Sequence, residues 1–193
     1  MSEIDAPVPT AAADTPATAF DARAFRNAMG QFATGVVVIS TEFEGHTHAM
    51  TANAFMSGSL APPLVLVSVA CTARMHDRLR QSRSFGISVL MHQQMFVSNH
   101  FAGKPQVDQQ PKFEQLDGLT VIHGAAVQLA AHLRHEYACG DHTLFVGEVK
   151  ALRTHAAPKP LLFHGGRYAE LAQPETQAPA SIEGFWANNE LCW

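Results

Sequence analysis

Between two apolar runs lies GHTHAMTANAFMSGSLAPP, residues 45–63, where Thr51, Asn53, Ser57, Gly58 and Ser59 crowd together ahead of the Pro62-Pro63 pair. A turn between strands needs about two to five residues and a Gly or an Asn. This stretch carries more short donors than a turn can use. Their chemistry is recognition. Hydroxyls, an amide and accessible backbone N–H groups can satisfy the carbonyls and ring nitrogens of a polar, planar ligand without filling its space. Small residues also let a backbone approach a flat ring closely.

Other chemistries lack their residues. The chain has no G-x-G-x-x-G and no G-x-x-x-x-G-K-[ST], so the dinucleotide fingerprint and the P-loop are both missing. No G-x-S-x-G elbow supports a serine hydrolase. Eleven histidines, notably His46/His48 and His132/His135 with His142, raise metal ligation. An H-x-H in a loop and scattered strand histidines are usually solvated or structural, and no carboxylate frames these at ligand spacing. No metal is expected. Cys71, Cys139 and Cys192 are an odd number at wide spacing, with no C-x-x-C and no implied disulfide framework.

The elements that must position the donor-rich stretch are mostly strands. Phe25, Ala28, Met29 and Phe32 recur at helical spacing behind Asp21, a plausible N-cap. Val36–Ile39 is a β-branched run, and LVLVSVA, residues 64–70, is a second buried strand that Pro62 and Pro63 can only precede. Residues 72–82 predict a short helix with Met75 and Leu79 on one face, FGISVL (85–90) a strand, and 92–101 a helix ending near Gly103. Residues 104–118 read as a polar connector. The period-two run Val127, Leu129, Ala131, Leu133 predicts a strand with one wet face. Residues 143–152 and 160–171 supply further strands, the last with a glycine-marked bend. Strands without regular helix alternation imply a mainly β fold, a closed or nearly closed antiparallel barrel with peripheral helices.

The chain of 193 residues is 47% hydrophobic with a formal charge of −4, which suits one globular domain. Mild acidity argues against a basic nucleic-acid groove, and no apolar run reaches the roughly 18–20 residues of a membrane span. Residues 1–19 read as a disordered leader without a secretory n-region, 20–171 as the domain, and 172–193 as an extension. The setting expected is cytoplasmic.

TGVVVIS, MTANAFMSGSLAPPLVLVSVA, FGISVL, HFAG, GDHTLFVGEV and PLLFHGGRY stand in the order and spacing of the flavin reductase-like family. The chain resembles these small NAD(P)H:flavin oxidoreductases, which feed two-component flavin monooxygenases such as the 4-hydroxyphenylacetate 3-monooxygenase type. The resemblance spans roughly residues 20–171. It implies the FMN-binding split barrel, a Greek-key-like antiparallel barrel, assembled as a homodimer. It also implies FMN or FAD, with NADH or NADPH as hydride donor and reduced flavin diffusing to a partner monooxygenase.

By the same resemblance, Gly35 and Val36 are cofactor-binding positions, and Thr51, Ala52, Asn53, Ala54, Ser57 and Ser59 line the isoalloxazine and ribityl groups. Cys71, Thr72, Ala73 and Arg74 match the segment that receives the flavin phosphate, where an arginine suits a bidentate contact. A solvated arginine opening a helix is the alternative. His142, in GDH, matches the histidine beside the flavin that helps receive the nicotinamide; its alternative is plain turn punctuation. Tyr168 and Phe101 match residues near the cleft, and either can instead pack as a core aromatic. Relatives often carry Ser at the position of Ala54, and hydroxyls where Ala73 and Met75 stand here, which leaves FMN against FAD open.

Two rival readings remain: a non-catalytic flavin- or haem-binding split-barrel module, and a pyridoxamine-phosphate-oxidase-like enzyme, for which a single arginine in TAR is thin. Residues 172–193 end with Phe185, Trp186 and Trp193. Disordered segments are poor in aromatics, so these are expected to dock on a second subunit or over the cofactor cleft.

Overall fold

The computed structural model describes residues 21–172. The leader and the aromatic-rich extension lie outside the described residues. Helix α1 (Ala22–Met29) opens the described chain, with the Asp21 carboxylate accepting from the Arg23 N–H at 2.8 Å as an N-cap. Strands β1 (Thr34–Gly35), β2 (Val37–Phe43), β3 (His46–Ala52), β4 (Phe55–Leu60) and β5 (Pro63–Ala70) follow. Next come helix α2 (Arg74–Ser82), strand β6 (Ser84–Val89) and a 3-10 turn that runs into helix α3 (Met95–Phe101). Strands β7 (Phe113–Leu116), β8 (Leu119–Ile122), β9 (Val127–Cys139), β10 (His142–Thr154), β11 (Leu162–His164) and β12 (Arg167–Ala169) complete it.

Seven strands make one antiparallel sheet in the order β3-β2-β6-β9-β10-β5-β4. Its two edges, β3 and β4, are joined by just Asn53 and Ala54. Seven strands laid flat would hold their edges roughly 29 Å apart, whereas so short a link spans about 11 Å at most. The sheet therefore has to roll until its edges meet. A bond from the Ser68 N–H to the Ala54 carbonyl, 3.0 Å, ties the link to β5, the strand beside β4.

Rolling encloses one apolar cluster around Val37, Ile39, Val67, Phe85, Ile87 and Phe145, to which α2 adds Met75 and Leu79. Val36, just ahead of β2, and Val38 on the opposite face of β2 join a second cluster with Leu90, Val97, Ile122 and Leu161, beneath α3 and the β11–β12 hairpin. β11 also pairs with β1, setting Thr34 opposite Phe163.

The structure corrects four sequence expectations. Most of residues 45–63 is strand, so His46 and His48 lie on β3 and not in a loop. The connector predicted over 104–118 contains β7, which pairs with β8. These two strands turn at Asp117 (φ 50°) and Gly118 (φ 73°), a pair of left-handed residues that a two-residue hairpin demands. The predicted wet face of β9 is dry in its first half, because Leu116 and Val121 of that hairpin pack on Ala130. Residues 160–171 hold two strands, joined across Gly165 and Gly166.

Glu114 clamps the β7–β8 hairpin to the barrel. Its carboxylate accepts from Gln128 and from the Gly124 N–H, and it faces Arg153 at 3.2 Å and His123 at 3.5 Å. Chiefly the Gln128 bond, helped by the Gly124 N–H and the two cationic neighbours, holds this carboxyl below its ordinary value of 4.5. A depressed folded pKa stabilises the fold above the unfolded value, and that contribution disappears as pH falls through the folded value. Glu114→Gln is expected to flatten the acid limb of a stability-versus-pH curve below about pH 5, read by urea denaturation at several pH values. At Gly86 an added Cβ would lie 2.2 Å from the Thr120 carbonyl oxygen, a backbone atom that cannot swing away. Gly86→Ala is expected to cost about 1–3 kcal/mol in the same experiment.

Candidate functional site

The seam and the end of β5 bring the separated donor clusters to one end of the barrel. Phe55 on β4 lies opposite Val67, and the Ala54–Ser68 bond continues that pairing towards the turn after β5. In that turn the Cys71 N–H donates to the Asp141 carbonyl at 2.9 Å, while His142 sits opposite Ala70 in the β5–β10 register. Asn53, Ala54, Cys71–Arg74 and His142 therefore gather here, although up to 89 positions separate them in the chain.

These groups form a donor set with spare capacity. Asn53 is exposed and gives one hydrogen bond, to the Thr34 hydroxyl at 3.3 Å. Ser57 and Ser59 share the half-buried side of β4 with Phe55, while Met56 and Leu60 face outward. Ala73 precedes α2 and offers no side-chain cap to the first N–H groups of that helix. Arg74, the first residue of α2, is exposed and makes no ion pair with another described residue. A helix start with open N–H groups, a favourable dipole and a guanidinium is chemistry for an anion. Met75, by contrast, is 3% exposed and packs into the barrel core, so the hydroxyl it replaces does not weaken this turn.

His142 shares a 2.8 Å hydrogen bond between Nδ1 and the Asp141 carboxylate, and that imidazole holds the Asp141 carboxyl below the usual carboxylate range. Behind it lies a polar chain that sequence reasoning missed. His76, nearly buried, shares a hydrogen bond from Nε2 with the Thr143 hydroxyl at 2.9 Å, and from Nδ1 with Asp77 at 3.1 Å. The His76 ring sets its edge on Phe145, at 5.4 Å between centroids. Position 76 falls on the inner face of α2 beside Met75 and Leu79, the one signal in the sequence that could have drawn attention to it.

Several expected residues have their side chains engaged within the protein. The Thr51 hydroxyl donates to the Ser98 carbonyl at 2.7 Å. The Tyr168 hydroxyl lies 2.8 Å from the Ser98 hydroxyl and donates to the Asn99 side chain at 3.0 Å. Phe101 packs on the second apolar cluster and meets Phe113 at 5.8 Å, Val36 is 2% exposed, and Ala52 packs on the barrel core. These side chains shape the walls, and β3 and α3 are locked together through them. Gly35 is different: a Cβ there would meet no atom within 4 Å, so the space beside it is open. Ser98 and Asn99 went unnoticed in the sequence because their partners lie 47 and 69 or more positions away.

A cleft of about 690 Å³ opens beside this set, between α1 and the β11–β12 turn. Arg26, Met29, Phe32, Phe163 and Gly165-Gly166 line it, and Asn53 is the one residue it shares with the expected binding positions. Among the described residues, no group of three or more His, Cys, Asp or Glu side chains is placed to hold a metal ion, and no helix is long and apolar enough to cross a membrane.

Residues 29–172 match the family described as the flavin reductase like domain. The chain belongs to that family. An NADH-dependent flavin reductase of a Rhodococcus species is 42% identical over 149 residues, 76% of this chain and 84% of the relative. The styrene monooxygenase flavin reductase of Pseudomonas putida S12 is 40% identical, with a TM-score of 0.72 over 78% of this chain and all but 1% of that one (99% covered). The Streptomyces globisporus NADH:FAD oxidoreductase SgcE6, solved with NAD and FAD fragments, is 37% identical with a TM-score of 0.75, covering 81% of this chain and 96% of that one. The expected split barrel and the expected oxidoreductase class, a flavin reductase, are thereby borne out.

Tyr168→Phe removes the hydroxyl that ties β12 to α3. It is expected to cost about 1 kcal/mol of stability, with native circular dichroism retained, as read by denaturant titration.

Proposed function

We propose that this chain is an NADH-dependent flavin reductase that loads FMN or FAD at the seam end of the barrel and releases the reduced flavin to a separate monooxygenase. One observation carries the placement. The open start of α2 with Arg74, the Asn53 amide in the β3–β4 link, and His142 come from three distant segments and meet at one end of the sheet, with Ser57 and Ser59 farther along β4 opposite Val65 and Leu64. The donor set fits a flavin: neutral hydroxyl, amide and backbone N–H groups for its pyrimidine edge and ribityl chain, and a cationic helix start for its phosphate. Family membership supports the same reading.

When bound, the flavin supplies a ring position, N5, that accepts hydride from a nicotinamide. What the chain contributes is orientation and exclusion. Gly35 and Ala54 leave room for a flat ring. Thr72 and Arg74 would hold the phosphate, and His142, steadied by Asp141, would receive the nicotinamide nucleotide. His76 steadies Thr143, and through it the floor under Cys71. Holding two rings at reactive distance converts a bimolecular encounter into an intramolecular one. No carboxylate pair is required for that chemistry.

Residues 20–171 form the working domain in this reading, in keeping with the family match over 29–172. A homodimer and a cytoplasmic setting complete it. Met56 and Leu60 point outward from an edge strand at 60% and 72% exposure, an apolar face suited to a second copy, and Cys71 and Cys139 are exposed free thiols, suited to a reducing compartment.

The test is NADH consumption, followed by its absorbance, with FMN and with FAD. Turnover with at least one flavin is expected, and binding of flavin without NADH oxidation would leave the non-catalytic module instead. Arg74→Ala is expected to raise the flavin KM about tenfold or more, the loss of a charge-assisted contact worth about 1.5–3 kcal/mol, while changing kcat far less.

A further inference from the structure

The cleft between α1 and the β11–β12 turn shares only Asn53 with the reading above. Its walls mix polar groups with exposed apolar ones: Met29 is 55% and Phe32 75% accessible, and no residue of α1 is buried. Phe163 closes the far side, and Arg26 supplies a positive charge on the lining. Met29 and Phe32 thus set apolar surface in water side by side at the cleft, the kind of patch that marks a docking site.

The described chain ends at Ala172, three residues past β12, whose hairpin with β11 forms one wall of the cleft. The following residues, 173–193, lie outside the described residues. Their sequence, QPETQAPASIEGFWANNELCW, suits this cleft in three ways. Ile182, Phe185, Trp186, Leu191 and Trp193 supply apolar and aromatic groups to match Met29, Phe32 and Phe163. Glu175, Glu183 and Glu190 are its charges, with no Lys or Arg among them, opposite Arg26 of the cleft and Arg23 and Arg167 in the flanking elements. Residues 173–184 can span roughly 40 Å when extended, ample reach from β12 to α1.

We propose that segment 182–193 docks in the α1–hairpin cleft of its own chain, with its aromatic side chains on Met29, Phe32 and Phe163 and its carboxylates towards Arg26. The cleft borders the proposed flavin site at Asn53, but the inference and its measurement need neither flavin nor nicotinamide.

Trp186 and Trp193 are the chain's two tryptophans, so its tryptophan emission reports this segment alone. The full chain, stripped of flavin, is expected to emit to the blue of the same chain in denaturant and to resist acrylamide quenching, equally at high and low protein concentration. Phe32→Asp and, separately, Arg26→Glu are expected to shift emission to the red and abolish that protection. Both positions are exposed, and an unchanged melting curve will show that the barrel stays folded. Native emission that already matches the denatured chain overturns the proposal. So does blue emission that neither substitution moves, or protection lost on dilution, which would assign the cleft to a second copy.

Discussion

A two-residue link between the opposite edges of a seven-stranded sheet is the constraint on which the rest of this structure depends. Asn53 and Ala54 cannot bridge a flat sheet, so β3 and β4 must curl towards one another, and the core inside the roll follows from that closure. The closure also explains why the donor-rich stretch sits where it does. At a seam between two edge strands, backbone groups are not all consumed by ladder pairing, and short side chains keep the gap narrow. A flat ligand can be received there by groups that a continuous sheet would have spent on itself.

The second device is the junction of α2 with the barrel. Met75, His76 and Leu79 face inward, and the helix start is thereby held against the end of β5. Its first turn is left without a side-chain cap at Ala73, while Asp77 complements the dipole one turn in. Helices usually spend a Ser, Thr, Asp or Asn on that cap, so its omission next to an exposed arginine is a departure in the direction of anion binding. His76 links the helix to Thr143 and so to β10, where His142 begins the strand. One buried imidazole thus couples the two sides of the site.

Much of this was legible in the sequence because it is local. Asp21 as a cap, the β-branched run at 37–39, the Pro-bounded start of β5 and the inner face of α2 each follow from periodicity or from one residue's stereochemistry. The β7–β8 hairpin was missed even though Asp117-Gly118 is a strong turn signal, because the short runs either side of it lie inside a polar neighbourhood. β9 was read as half wet for the same reason: Ala130 is dry only because that unseen hairpin covers it. Among site residues, the seam cluster was legible as an excess of donors. The Thr51–Ser98–Tyr168 network and the His76–Thr143 bond were not, since each joins residues 47 to 70 positions apart and no local pattern announces such a partner.

The central claim is that a flavin is held where the seam meets the start of α2. Hydrogen–deuterium exchange of the full chain, with and without saturating FMN or FAD, tests it most directly. The account predicts slowed exchange in residues 53–59 and 71–76 on flavin addition, with β7 and β8 unchanged. Protection confined to α1 and the β11–β12 turn, or no protection at either cluster despite measured binding, would contradict it.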